Sequence, residues 1–335
     1  MIRTKLCTAP HLFRLLFWMV LLLTGLISSA GAGTTGVLVF PRTDGTGAYH
    51  TIVRRDLATG TETSVISSAT AAVNGFQSIS QCAWSHSGTV RWVLFQVKVA
   101  NGQQEVWAVA EDGTPSSLHP VLNDTVLPGS LKFYTPALTR DDGTLAYVAG
   151  GAVSDLFIVA FNPTSATIAG TPLNLTNGAF ADLFRPTWSP DGLHLAAHGF
   201  PAGSLQADIY RFDVTTDTFG AITGAVWTNL TNTASAAELY PEWSPALPNL
   251  PGGRIAFGSS SGIVSILPDG TSMKVIVNGK SSPRYPSWSP DGSQIAFTGV
   301  ASSQLDVFVA AVIGGTSSNV TNTRAYSEVP PAWRP

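Results

Sequence analysis

Four stretches of this 335-residue chain bring together side chains of the kinds that do chemistry. Gly258-Ser259-Ser260-Ser261-Gly262 matches the Gly-x-Ser-x-Gly pattern, which presents a nucleophilic serine only where a strand turns sharply into a helix. Here it joins two expected strands, so it reads as a hairpin loop. His194 and His198 lie four apart on an expected strand and therefore share a face. No third ligand lies nearby in the sequence, and no His-Glu-x-x-His or cysteine-rich spacing occurs, so the pair reads as solvated or packed rather than metal-binding. His50, His86 and His119 fall singly in strand or turn contexts. Asp141-Asp142-Gly143 and Asp44-Gly45 combine carboxylates with glycine but lack the alternating ligands of a calcium loop, and read as turns.

What must position such residues is a β structure without disulfides. Charged residues make up 12% of the chain, about half the usual share. Glycine (32), proline (22) and a 44% apolar fraction give a turn-rich composition with ample core material. Arg3, Lys5 and Arg14 precede the uncharged run from Leu15 to Ile27, and Ser28-Ser29-Ala30-Gly31-Ala32 supplies small residues suited to cleavage. This pattern predicts a secretory signal peptide over residues 1–32, cut after Ala30 or Ala32. The apolar run is short for a membrane span, which needs about 20 residues. Cys7 lies ahead of that run, so only Cys82 would remain after export, and stability must come from packing. The mature chain would carry 15 basic and 21 acidic residues, a net charge of −6 that argues against nucleic acid as partner.

A repeat organises the rest. Pro286-Ser287-Trp288-Ser289-Pro290-Asp291-Gly292 leads into the apolar Ile295-Ala296-Phe297, and Pro186-Thr187-Trp188-Ser189-Pro190-Asp191-Gly192 is its closest copy. Successive equivalents Trp84, Leu138, Trp188, Trp243, Trp288 and Trp333 are 54, 50, 55, 45 and 45 residues apart, a period typical of propeller blades of four short strands. Proline is expected just before the first strand of each blade, where its missing N–H costs little, and the tryptophan as a plug between stacked sheets. Ser-Pro-Asp-Gly makes a tight turn: proline presets one torsion, aspartate bonds local N–H groups and glycine accepts positive φ. Third strands are expected at Glu105 to Ala110, Asp155 to Ala160, Asp208 to Asp213, Gly262 to Leu267 and Asp306 to Ala311. Outer strands close on related phrases, Asn174-Leu175-Thr176-Asn177, Asn229-Leu230-Thr231-Asn232 and Asn319-Val320-Thr321-Asn322. These three asparagines and Asn123 match the glycosylation pattern, but repetition accounts for three of the four without any sugar. Almost no helix is expected. Val37 to Phe40, His50 to Arg55 and Thr61 to Ser67 lack an innermost strand, and Pro331-Ala332-Trp333 is an innermost strand with nothing after it, so the termini are expected to share the sixth blade.

The phrase Pro-x-Trp-Ser-Pro-Asp-Gly, followed by Ile295-Ala296-Phe297 and by strands like Ile209 to Asp213, resembles the TolB-type six-bladed β-propeller repeat. The resemblance covers nearly all of residues 36–335, with full motifs at Trp188 and Trp288, a lengthened turn at Trp243, and departures at Trp84 and Leu138. It implies an all-β six-bladed propeller over residues 33–335, without the α/β domain that precedes the TolB propeller. The propellers of prolyl-oligopeptidase-type enzymes are similar too, but no hydrolase domain accompanies this one.

In such a ring the residues just before each anchor lie at one mouth of the central channel. Directly before it stand Ala83, Ala137, Thr187, Glu242, Ser287 and Ala332, small except for Glu242, which implies a narrow bore. Three to five positions before it stand Gln81, Tyr134, Thr135, Arg185, Glu238, Tyr240, Arg284, Tyr285 and Glu328. Aromatic faces beside Arg and Glu suit a peptide segment or a sugar; alternatively, Arg185 and Arg284 pair with Glu238 or Glu328 and hold blades in register. The reading is a periplasmic or secreted, monomeric binding or scaffold propeller, more a binder than an enzyme, that recognises an envelope or extracellular protein or a carbohydrate. The rival is a polysaccharide lyase or glycoside hydrolase using Glu238, Glu242 or Glu328. A lyase of the oligogalacturonate type would place a cluster of histidine ligands at the channel, and none of these mouth positions is histidine. No cofactor is predicted, although ring closure leaves open a channel cation such as calcium. A leader left uncleaved would tether the propeller to a membrane.

Overall fold

The computed structural model describes residues 34–43, 48–129, 132–151, 153–218, 221–234, 237–279 and 282–335. The expected signal peptide and the Asp44-Gly45 turn lie outside them. Six four-stranded antiparallel sheets make up residues 36–335. The first comprises β4 (Phe76–Trp84), β5 (Trp92–Val99), β6 (Gln104–Ala110) and β7 (His119–Leu122). The second comprises β8 (Lys132–Leu138), β9 (Thr144–Gly150), β10 (Ser154–Asn162) and β11 (Thr167–Asn174), and the third β12 (Phe180–Trp188), β13 (His194–Pro201), β14 (Asp208–Thr216) and β15 (Ile222–Asn229). The fourth is β16 (Leu239–Trp243), β17 (Ile255–Ser259), β18 (Gly262–Ile266) and β19 (Lys274–Asn278), and the fifth β20 (Arg284–Trp288), β21 (Gln294–Ala301), β22 (Gln304–Ala311) and β23 (Ser318–Asn319). In the sixth, β24 (Ala332–Trp333) is the innermost strand beside β1 (Val37–Thr43), β2 (Tyr49–Asp56) and β3 (Glu62–Ile66). One six-residue helix, α1 (Ser68–Val73), and a 3₁₀ turn at Pro115–Ser117 complete the described elements. The chain is a six-bladed β-propeller.

The second strand of each blade is buried on both faces, as in Val93-Leu94-Phe95, Leu195-Ala196-Ala197 and Ile295-Ala296-Phe297, because neighbouring blades cover both sides. That is why these strands read as continuous apolar runs rather than alternating ones. The anchors Trp84, Leu138, Trp188, Trp243, Trp288 and Trp333 are all buried. Three of their indole N–H groups donate across to the preceding blade, at the carbonyl of the residue before its anchor: Trp84 to Ala332 (3.0 Å), Trp188 to Ala137 (3.3 Å) and Trp288 to Glu242 (3.0 Å). Thr187 and Ser287 reinforce the same seam by accepting the backbone N–H of Trp243 (3.0 Å) and Trp333 (2.9 Å).

Each residue of the turn phrase has its partner. The hydroxyl of Ser289 donates to Asp291 (2.6 Å) and accepts from the Gln294 N–H (2.9 Å), Ser189 does the same with Asp191 and His194, and Gly192 and Gly292 take φ of 70° and 67°. In the second blade Asp142 occupies the glycine place, at φ 56°. Its fully buried carboxylate accepts from the backbone N–H groups of His86 and Ser87, the Ser87 hydroxyl and the His86 ring in the neighbouring blade. An aspartate surrounded by donors in this way is an inter-blade clamp, which corrects its reading as part of a turn alone.

Ring closure follows the expected plan. Leu38 pairs with Trp333 and Val39 with Ala332, and the ladder continues through Arg334 N to Val37 O (2.8 Å) and Val329 N to Pro41 O (3.1 Å). Gly36 (φ 108°) is required there, since a Cβ would collide with the Trp333 indole nitrogen.

Candidate functional site

The innermost strands carry a feature that spacing alone does not reveal. Each of the five long ones is bulged shortly before its anchor, at the second and third residues ahead of it in four and at the third and fourth in β4, so that two residues oppose one. Between Phe184↔His198 and Thr187↔Ala196, for example, Arg185 and Pro186 face Ala197 alone. The repeated proline thus lies within the strand, in the bulge, not just ahead of it as expected. The bulge is one of the few places where its missing N–H leaves no ladder position empty.

The residue preceding that position has positive φ in every case: Gln81 138°, Thr135 52°, Arg185 54°, Tyr240 60° and Tyr285 56°. Non-glycine residues there cost on the order of 1 kcal/mol or more each, and such strain gathers where side chains must be aimed. Here the five are turned toward the channel. With Ser80, Gln96, Phe184, His198, Phe200, Leu239, Val329 and Pro330, they line a cup of about 390 Å³ at the mouth.

Arg185 forms the floor. It is 8% exposed, its guanidinium carbon lies 5.1 Å from the Tyr285 ring centroid and 5.8 Å from that of Tyr240, and the two tyrosine rings are 4.0 Å apart. Burial lowers the guanidinium from its ordinary value while Glu242 opposes the shift. Burial also pushes the Tyr285 hydroxyl up to about 12. His198 is packed between Phe184 (5.3 Å, stacked) and Tyr240 (5.2 Å, edge-on), and its Nδ1 accepts the Tyr240 N–H at 3.3 Å. Burial first, and the Arg185 charge second, hold His198 neutral with a pKa of about 3. A histidine therefore does stand at the mouth, contrary to expectation, but as a neutral wall. His194 instead bonds Asp213 (2.7 Å) and stacks on Trp243.

Of the other expected mouth residues, Arg284 lines an adjoining pocket of about 300 Å³ that shares Leu239 and Tyr240 with the cup. Below, a bore of about 140 Å³ is lined by Ala83, Ala137, Thr187, Glu242, Ser287 and Ala332, with Gln81 and Arg185 common to bore and cup. Burial raises the Glu242 carboxyl to about 7 despite Arg185. Tyr134 packs edge-on against Phe184 (6.5 Å) beside the second and third blades' core. Glu238 and Glu328 are not part of the cup lining. Glu238 is buried and accepts from Thr233 (2.8 Å). Glu328, fully buried, accepts from Arg42 Nε (2.8 Å), Thr321 and Thr323, and Arg42 also forks onto Glu62 (2.7 and 3.0 Å). Neither glutamate pairs with Arg185 or Arg284, so the register-holding alternative does not describe these arginines.

The Gly258–Gly262 stretch is the expected hairpin, with Ser259 paired to Gly262 across a two-residue turn. No group of three or more potential metal ligands occurs among the described residues. Phe184, Phe200, Leu239, Val329 and Pro330 were not anticipated at the mouth; Phe184 and Leu239 stand four before their anchors, next to positions that were.

No protein-family model and no characterised protein sequence matches the chain. Its fold is that of known propellers. TolB from Acinetobacter baumannii superposes with a TM-score of 0.66 at 16% identity, over 98% of this chain and 74% of that one. A chain of the nidogen/laminin complex gives 0.61 at 10% identity, over 89% and 98%. Puromycin hydrolase gives 0.54 at 16% identity, over 86% of this chain but 46% of the enzyme.

Proposed function

Proceeding from a TolB-like six-bladed propeller fold, we propose that this protein is an exported binding or scaffold propeller that takes a protein or carbohydrate ligand of the cell envelope or exterior at the bulge-lined cup. Residues 1–32 would direct export and residues 33–335 would act as a single monomeric domain, outside the cytoplasm. The observation that carries the reading is the ring of five strained residues whose side chains converge on an apolar-walled concavity. Concave, largely apolar sites with a few convergent polar groups are the usual form of ligand pockets. Its lining contains no carboxylate to serve as acid or base, which favours binding over glycoside or polysaccharide cleavage. No helix among the described residues is long and apolar enough to cross a membrane.

The test is capture from the native exported fraction on immobilised wild-type protein and on Tyr240→Ala, with bound proteins and glycans both identified. The wild type is expected to retain a ligand that Tyr240→Ala loses while unfolding at nearly the same temperature. Equal capture by the two would place binding elsewhere on the propeller.

A further inference from the structure

Two polar side chains at the cup floor are buried and lack partners. Arg185 and Gln81 are each 8% exposed, and neither side chain makes a hydrogen bond or ion pair among the described residues. The Arg185 guanidinium packs against the faces of Tyr240 and Tyr285. Glu242 in the bore below offsets part of the Arg185 charge but forms no ion pair or hydrogen bond with it, and a guanidinium largely removed from water is only partly repaid by an aromatic cage. Such a group is stabilised when a bound anion supplies the missing acceptor, ideally a carboxylate, whose two oxygens match the guanidinium fork.

We infer that the cup is a receptor for a carboxylate side chain of an acidic peptide segment, seated on Arg185 and Gln81 between Tyr240 and Tyr285. This rests on the binding reading above and names the ligand's chemistry. Peptide is favoured over a sugar acid by the walls. Phe184, Phe200, Leu239, Val329 and Pro330 offer apolar surface to a neighbouring side chain, whereas the ring hydroxyls of a uronate would find few partners. Gln96 is already committed, accepting from the Thr135 N–H (3.3 Å) and donating to Gln104 (3.2 Å), and the Thr135 hydroxyl accepts the Arg185 N–H (3.2 Å). The adjoining pocket continues past Tyr240 to Arg284, whose side chain also has no ion-pair partner among the described residues, giving an extended acidic segment a second cationic contact.

The experiment measures binding of the full chain to immobilised hexapeptides, each present as an Asp form and its Asn counterpart, with oligogalacturonate as a separate arm. The wild type is expected to prefer Asp over Asn forms by roughly tenfold or more, the worth of one charge-assisted bidentate contact. Arg185→Gln should bring that ratio near one, and Gln81→Leu should reduce it, at an unfolding temperature no lower than wild type. Equal binding of Asp and Asn forms by the wild type overturns the inference, whatever the variants do, as does a preference that survives Arg185→Gln. If peptides bind without regard to charge and Tyr240→Ala abolishes it, the mouth is a binding site but not a carboxylate receptor. Arg185-dependent capture of oligogalacturonate without any peptide would refute the peptide assignment alone. If the wild type retains neither class of probe, the receptor inference falls, while the binding reading is decided by the capture experiment above.

Discussion

Arg185 and Trp288 are both buried on innermost strands, of the third and fifth blades, yet opposite outcomes are expected when they are truncated. Removing a buried charge that makes no hydrogen bond or ion pair relieves a desolvation cost, so Arg185→Met should unfold at the wild-type temperature or above, by calorimetry. Trp288→Ala should lose about 3–5 kcal/mol in urea titration, through a cavity and the lost indole bond to Glu242. Asp142→Ala strands the His86 and Ser87 N–H donors and should cost on the order of 2 kcal/mol. Because burial, which raises the Asp142 carboxyl, is outweighed by those hydrogen bonds, its pKa is depressed, and the clamp's contribution is lost as pH falls below about 4. Arg185, Tyr240, Tyr285 and Gln81 could be picked out from sequence because they interrupt a regular phrase at one fixed offset from its anchor. Glu238 and Glu328, two positions earlier, looked equivalent and are not. For Glu238 the bulge between Leu239 and Glu242 breaks the two-residue alternation, and Glu328 bridges to Arg42 ahead of the two-residue β24; counting from the anchor carries no sign of either.

At the level of the strand and turn, the recurring phrases divide into those whose reason is readable and those whose reason is spatial. Ser-Pro-Asp-Gly declares its turn through residue types alone, and the Ser289–Asp291 bonding agrees. The Asn-x-Thr phrase does not declare itself. Its asparagine donates to the aspartate at or near the start of the third strand (Asn174 to Asp155 3.0 Å, Asn229 to Asp208 2.9 Å, Asn319 to Asp306 2.6 Å), and accepts the next turn's N–H groups. The threonine hydroxyl meets the same aspartate and accepts a third-strand N–H. Asp and Asn are separated by 13 to 21 residues, too far for any local pattern to join them. Asn229→Ala should therefore destabilise the third blade by about 1–2 kcal/mol, measured as a lower urea midpoint, whereas a mere acceptor site for sugar would leave the midpoint unchanged.

The closed ring depends on the last residues reaching the first, and the Arg42–Glu328 contact lies on that seam beside the β1–β24 ladder. Burial drives the Glu328 carboxyl up to about 7, with Arg42 opposing. A folded pKa above the unfolded one means that the folded chain holds the proton longer. The stabilising share is complete below about pH 4.5 and is lost as pH rises through about 7. Glu242, also at about 7, acts in the same sense, while neutral His198 acts oppositely and only below about pH 6.5. Between pH 6.5 and 8.5 the melting temperature should thus fall, and fall less in Glu328→Gln; a slope unaltered by that substitution would remove Glu328 as its source. The bulges matter at this scale too. A residue standing out of the ladder at positive φ can change identity without disturbing the strand pairing beneath it, so the five places at Gln81, Thr135, Arg185, Tyr240 and Tyr285 behave as a circular keypad on an invariant chassis. Selectivity in this protein can be rewritten there one blade at a time, and a library randomised at those five codons is the natural starting point for retargeting it.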